Sequence, residues 1–198
     1  MCTYKRYWID SISGPIEHLG LLLRVLRGIA VGRPTADRKE LHHLLDDLRA
    51  GGYTSEINRR LIAADWLSGG YSVILSSWLE TVLNQVLEDA GQAVAQGHQW
   101  KHIDGAFCAA SGVGLHTISR HRDILRVRYL ANCFKHGNGT ADSNLAGVSE
   151  YKEGERIQYL LENWDELLKA LREFLEDAIS KLPQLRHPMP IEWRERGR

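Results

Sequence analysis

The stretch that decides the fold is Tyr71 to Gln92, YSVILSSWLETVLNQVLEDAGQ, in which apolar side chains recur every three or four residues. Because an α-helix turns once in about 3.6 residues, this spacing gathers them into one broad stripe. A stripe of that width is typical of a helix at the centre of a bundle. Its members are Val73, Ile74, Trp78, Leu79, Val82, Leu83, Val86 and Leu87.

The same periodicity dominates the rest of the chain, and no run of alternating polar and apolar residues predicts a strand. We therefore predict an all-α fold, an up-and-down helical bundle with an N-terminal helical extension. Pro15 fits the first turn of a helix, whereas Gly51-Gly52 and Ser68-Gly69-Gly70 predict breaks. The predicted helices cover residues 16–30, 35 or 37 to 50, 54–67, 71–92, 103–110, 116–135 and 155–182.

These breaks predict three parts of the chain. Residues 1–67 form the N-terminal extension, residues 68–182 the helical bundle, and residues 183–198 an extended tail. The alternative is that the first two parts share one core. A loop, with a short hairpin as an option, is expected over residues 137–154.

Composition limits the class of protein. The chain has 198 residues, with 25 Lys and Arg against 25 Asp and Glu, so a polycation that coats nucleic acid along its whole length is excluded. Its three cysteines are odd in number and form no C-x-x-C, which favours a reducing compartment. The first ten residues lack the apolar run of a signal peptide, and Arg24 and Arg27 interrupt the most apolar stretch. We expect a cytoplasmic protein that does not enter a membrane.

Charge is unevenly distributed along this neutral chain. Residues 120–136 carry five Arg and Lys against one Asp, whereas residues 150–180 carry nine acids against four bases. One interpretation is that two neighbouring helices neutralise each other. The other is that the basic helix faces a ligand that carries phosphate.

The segment Arg126 to Gly139, RVRYLANCFKHGNG, contains the strongest candidate for chemistry. At ~100° per residue, Arg128, Asn132 and His136 fall within an arc of ~80° on one helix face. Imidazole transfers protons near neutral pH, and a guanidinium binds phosphate and stabilises its charge. These groups are the minimum set for metal-free cleavage of RNA, in which the 2′-hydroxyl is the nucleophile. The alternative is that His136 caps the helix, with Gly137 as the residue that follows the cap.

Two of these segments resemble the HEPN superfamily. The stretch Tyr71 to Asn84 is similar to the early core helix of HEPN proteins, and the Arg-Asn-His helix is similar to their signature of an Arg, a polar residue and a His. The resemblance covers roughly residues 68–182. Here seven residues separate Arg128 from His136, which is longer than the usual gap, and Tyr129 occupies the polar position.

The resemblance implies a bundle of four or five helices and, in catalytic members, a metal-independent endoribonuclease. Such enzymes are usually homodimers that pair two motifs in one cleft, and they are frequent in toxin–antitoxin and anti-phage defence systems. It implies RNA as the partner, with an antitoxin or another defence protein as a further one. No metal or other cofactor is expected. The catalytic residues would be Arg128, Asn132 and His136, and the phosphate-binding residues Arg120, Arg122, Arg126 and Lys135. The alternative is a non-catalytic HEPN-like module that binds nucleotide, RNA or a protein.

Three further features of the sequence are weaker signals. Leu130 to Gly137 also resembles the Asn-containing box of histidine-kinase-type ATPases, but the Gly-rich motifs of that fold do not follow. His98 and His102 lie one helical turn apart and would suit zinc if a third ligand were present. Glu80 is expected either to pair with an arginine of the basic helix or to orient His136.

Overall fold

The computed structural model describes residues 3–51, 55–92, 100–158, 164–183 and 185. These residues form seven α-helices, one 3-10 helix and a single β-bridge, so the predicted all-α fold is confirmed. The 3-10 helix covers Leu115–Thr117. The helices are α1 Thr3–Val31, α2 Arg38–Arg49, α3 Ser55–Asp89, α4 Trp100–Ser111, α5 His121–His136, α6 Ser143–Val148 and α7 Trp164–Lys181.

Helices α1 and α3 lie side by side in opposite directions. Near the start of α1, the indole of Trp8 donates a hydrogen bond of 3.0 Å to Asp89 at the end of α3. Further along, the hydroxyl of Tyr71 donates to the carbonyl of Leu19 at 2.9 Å. As α1 proceeds from residue 8 to residue 19, its partners on α3 move back from residue 89 to residue 71.

Helices α5 and α7 complete an up-and-down arrangement. Lys5 on α1 donates to the carbonyl of Ser180, and Arg27 pairs with Asp165 at 2.6 Å, so α7 is antiparallel to α1. Helix α5 is antiparallel to α3, because Arg128 meets Glu80 whereas the later Phe134 meets the earlier Gly69. The short helices α2, α4 and α6 lie in the connections.

One hydrophobic core joins residues from α1 to α7. At its centre the rings of Tyr71 and Trp164 meet edge to face, with centroids 4.9 Å apart. Five of the eight residues of the predicted stripe are buried, Val73 and Trp78 are half-buried, and Ile74 is exposed. The buried members of the predicted stripe are Leu79, Val82, Leu83, Val86 and Leu87.

The predicted break at Ser68-Gly69-Gly70 is wrong, because α3 runs through it without interruption. A Cβ atom on Gly69 would lie 2.1 Å from the ring of Phe134, so the glycine gives α5 room to approach. The buried hydroxyls of Ser68 and Ser72 donate to carbonyls of their own helix, at 2.7 and 2.6 Å. Serine and glycine often end a helix. In α3 their small size instead permits α5 to pack closely against it. Helix α3 therefore spans the boundary predicted between residues 67 and 68.

The predicted start of the first helix is also wrong. Helix α1 begins at Thr3, and Pro15 lies inside it rather than in its first turn. The reason is the apolar face, which continues on both sides of the proline. Its buried members are Trp8, Ile12, Ile16, Leu19, Leu23, Leu26 and Ala30.

The last helix starts later than its apolar pattern predicts. Residues 155–158 are not helical; the amide of Ala141 donates to the carbonyl of Glu155 at 2.8 Å, and Ile157 donates to Gly139 at 2.9 Å. This pairing replaces the first predicted turn, and the loop before it contains α6. Leu160 and Leu161 lie outside the described residues, as does most of the predicted tail. None of the helices within the described residues combines the length and the apolarity that crossing a bilayer requires.

Candidate functional site

Helix α5 carries the predicted site residues. It begins at His121, five residues later than predicted, because the 3-10 helix and a left-handed Arg120 with φ of 64° precede it. One side of α5 faces the core, which fixes the direction in which its polar residues point. The residues of that side are Ile124, Val127, Leu130, Ala131 and Cys133.

Arg128 is held in place by two neighbours. Its Nε atom lies 3.4 Å from Oε1 of Glu80, and its guanidinium carbon lies 4.3 Å from the centre of the Trp100 ring. The side chains of Arg128 and Glu80 are 14% and 18% exposed. Burial lowers the pKa of Arg128, whereas Glu80 opposes that shift, so the guanidinium stays charged. The hypothesis that Glu80 pairs with an arginine of the basic helix is confirmed.

The contact with Glu80 uses one donor of the Arg128 guanidinium. Only Nε donates to the carboxylate, and within the described parts of the chain no group accepts a hydrogen bond from the two terminal nitrogens. A guanidinium has five N–H donors in a rigid plane. Arg128 therefore combines a fixed orientation with terminal donors for which the described residues provide no acceptor.

Asn132 and His136 lie on the exposed surface, one and two turns beyond Arg128. At ~1.5 Å of rise per residue, His136 is about 12 Å further along the helix axis than Arg128. Side chains on a helix lean towards its N-terminus, so the guanidinium of Arg128 points away from His136. One copy of the chain keeps the three residues on one face but does not bring Arg128 and His136 together.

The end of α5 differs from the predicted cap. Gly137 is the cap residue, and its amide donates to the carbonyl of Cys133 at 2.9 Å. Its φ is −106°, so the left-handed residues are the next two, Asn138 and Gly139, with φ of 52° and 75°. The turn after α5 is thus closed by backbone bonds, and the ring of His136 remains exposed.

Two of the predicted phosphate-binding arginines are engaged by acids. Nε of Arg120 lies 3.2 Å from Asp123 and 3.3 Å from Glu173 on α7. Arg126 meets Glu150 at 2.5 Å. These pairs support the interpretation that the basic helix is partly neutralised by its neighbours.

The remaining predicted phosphate-binding residues, Arg122 and Lys135, are exposed. Neither has an acidic partner in the part of the chain that the structure describes. The cationic charge that α5 presents to solvent is therefore smaller than its sequence indicates, and it lies at these two positions.

Sequence reasoning missed His121 as a neighbour of Arg128. His121 is half-buried, and burial lowers the pKa of its imidazole; Asp104 opposes the shift, whereas His116 and Arg128 add to it. His121 lies seven residues before Arg128, which is two turns on the same helix face. That spacing is a signal that the sequence contains.

The residues that the structure describes include no group of three or more His, Cys, Asp or Glu side chains arranged to hold a metal ion. The predicted pair of His98 and His102 lies partly outside the described residues, because His98 is not among them. His102 is half-buried on α4.

Comparison with models of protein families, with curated protein sequences and with solved structures finds no match.

Proposed function

We propose that the chain is a metal-independent endoribonuclease of the HEPN type. The observation that carries this proposal is the state of Arg128, which Glu80 and Trp100 hold in place while its terminal nitrogens have no described acceptor. A guanidinium that is fixed before the ligand arrives stabilises developing charge without reorganisation. Asn132 and His136 continue the same helix face at the surface.

The reaction needs one nucleophile, which RNA itself supplies. The 2′-oxygen attacks the adjacent phosphorus and loses its proton to an imidazole, and the bond from phosphorus to the 5′-oxygen breaks as that oxygen gains a proton. The products are a 2′,3′-cyclic phosphate and a 5′-hydroxyl. In this scheme His136 transfers the proton, Arg128 stabilises the negative phosphoryl oxygens and Asn132 orients the phosphate.

The distance of about 12 Å along the axis between Arg128 and His136 indicates that two copies build each site. In a two-fold dimer the same surface pairs with itself. If two α5 helices cross antiparallel at Asn132, Arg128 of one protomer lies opposite His136 of the partner subunit. Such a homodimer would bring together the groups that a single chain separates, and it would accommodate the long spacing of this motif.

Exposed cations at the ends of α5 would bind the RNA backbone. Arg122 and Lys135 are suited to this, because both are exposed and have no acidic partner within the described residues. Arg120 and Arg126 would contribute less, since acids already engage them. By its HEPN resemblance the protein would act in a cytoplasmic toxin–antitoxin or anti-phage defence setting, with an antitoxin or defence protein as partner.

The test is cleavage of RNA by purified protein in EDTA. We expect 2′,3′-cyclic phosphate ends, intact DNA, and a rate that falls about 10²- to 10⁴-fold in His136→Ala, the usual effect of losing a general acid or base. The matched control is His43→Ala, which removes an exposed histidine of α2 and should leave the rate unchanged. Full activity in folded His136→Ala, or activity that requires a metal, would exclude the proposal.

A non-catalytic module that binds nucleotide, RNA or a protein is the second candidate. The observation that favours it is the engagement of Arg120, Arg126 and Arg128 by acidic side chains. Such a module should not cut RNA, and it should remain a monomer at micromolar concentration. Sedimentation together with the cleavage assay separates the two candidates.

A further inference from the structure

A cleft of about 270 Å³ lies beside the last turn of α5. Three segments form it: the first half of α3, the turn after α5 and residues 156–158. Its volume lies just below the range of small-molecule pockets, about 300–1,000 Å³, so it suits a group of the size of one nucleotide base. Phe134 and Asn138 line it, each two residues from His136.

One wall of the cleft is an exposed aromatic surface. Trp66 and Ile62, one turn apart on α3, are each 46% exposed although both are large and apolar. The ring of Phe134 meets the Trp66 ring edge to face, with centroids 6.4 Å apart and an angle of 74°. The edge contact supports the indole while leaving it exposed at the cleft. Bases of single-stranded nucleic acid stack on such faces.

The cleft also carries polar groups. Asn58, Asn138 and Arg156 line the cleft, and no side-chain hydrogen bond or ion pair joins them to any other described residue. Amides recognise base edges, and a guanidinium binds phosphate. Two hydrogen bonds hold residues 157 and 158 beside the cleft: the amide of Ile157 donates to the carbonyl of Gly139 at 2.9 Å, and the hydroxyl of Tyr151 donates to the carbonyl of Gln158 at 3.0 Å.

We propose that this cleft binds one unpaired nucleotide of a single-stranded RNA. The base stacks on Trp66, its edge meets the amides of Asn58 and Asn138, and Arg156 binds the phosphate. The proposal rests on the proposed function for the choice of RNA, because the cleft lies at the end of α5 that carries His136. It adds a base-recognition site and predicts that the strand is cut next to an unpaired nucleotide.

The test measures the affinity of the full chain for a 2′-O-methyl RNA octamer, which cannot be cleaved, by fluorescence anisotropy. Trp66→Ala should weaken binding about 5- to 100-fold, which corresponds to the usual stacking energy of one base. Trp66→Phe should restore much of the affinity, because it keeps an aromatic face. Arg156→Gln, at an exposed position, should weaken binding in a salt-dependent way even if Trp66→Ala fails to fold.

The matched control is Ile74→Ala, which removes an exposed apolar side chain of the same helix outside the cleft. It should bind as the wild type does. The proposal is overturned if Trp66→Ala and Arg156→Gln bind the octamer as tightly as this control, or if the wild type binds no octamer. Cleavage by the wild type is measured separately. Binding that depends on Trp66 without any cleavage supports the base site and excludes the nuclease. Cleavage together with binding that does not depend on Trp66 supports the nuclease and excludes the base site.

Discussion

The middle of α5 and its last turn differ in whether their basic side chains are buried against carboxylates or exposed to solvent. In the middle, Arg126 and Arg128 are 16% and 14% exposed, and each meets a carboxylate. In the last turn, Lys135 and His136 are exposed, and no described acid contacts either. The same helix thus holds the arginines of its middle in ion pairs and exposes the basic side chains of its last turn to solvent.

The number of basic residues in a segment therefore does not show how much positive charge is available to a ligand. The sequence gives residues 120–136 a strong positive charge, but Glu80, Glu150 and Glu173 each approach one of its arginines. A carboxylate close to a guanidinium competes with phosphate for the same donors. Phosphate affinity is therefore expected at the exposed positions and at the donors of Arg128 that Glu80 leaves unused.

The largest expected effect comes from removing the partner of Arg128. Glu80→Ala should lower the free energy of unfolding by about 2–4 kcal/mol, because it leaves a mostly buried guanidinium without its carboxylate. Asp46→Ala is the control, since Asp46 and its partner Arg49 are 68% and 67% exposed, and its loss should cost no more than about 1 kcal/mol. Urea denaturation of both variants measures the difference. Equal losses would mean that Glu80 holds Arg128 no more strongly than one exposed ion-pair partner holds the other.

A second prediction tests how α3 positions the last turn of α5. Gly69→Ala places a Cβ 2.1 Å from the ring of Phe134, and the displaced ring should cost about 1–3 kcal/mol of stability. Gly70→Ala meets nothing within 4 Å, so better helix propensity should stabilise the protein by up to ~1 kcal/mol. The two neighbouring substitutions are thus expected to have opposite signs in the same denaturation assay. Stabilisation by both would show that Phe134 does not pack against Gly69.

The type of fold could be predicted from sequence because periodicity is a local property. The stripe on residues 71–92 can be recognised without knowing what it packs against, and the helix that ends at Arg49 is followed by its own stop signal at Gly51. The break at Gly69 could not be judged in this way, because its outcome depends on Phe134, which lies 65 residues later in the chain. A glycine in a sequence predicts a break in the helix, and only the side chain that packs against it shows whether the helix continues.

For the candidate site, too, the local features could be predicted from the sequence, and most of the tertiary contacts could not. The common face of Arg128, Asn132 and His136 follows from helix geometry, and the pairing of Glu80 was among the sequence hypotheses. Trp100, which stacks on Arg128, follows a segment with no clear pattern, and Glu150, which engages Arg126, lies in a loop. These neighbours come together only through the tertiary fold. Whether the site is catalytic stays a prediction.

The smallest expected effect is a change in the salt dependence of RNA binding, and it compares the two parts of α5 directly. On single strands, each phosphate contact contributes about 0.7 to the slope of log affinity against log salt. Lys135→Gln should reduce the slope by about that amount, because Lys135 is exposed and has no acidic partner among the described residues. Arg126→Gln should change it much less, since Glu150 already binds that guanidinium. The measurement is a titration of labelled RNA at four salt concentrations. Equal reductions in both variants would mean that Arg126 leaves Glu150 to bind phosphate, and the contrast between the two parts of α5 would then exist only in the free protein.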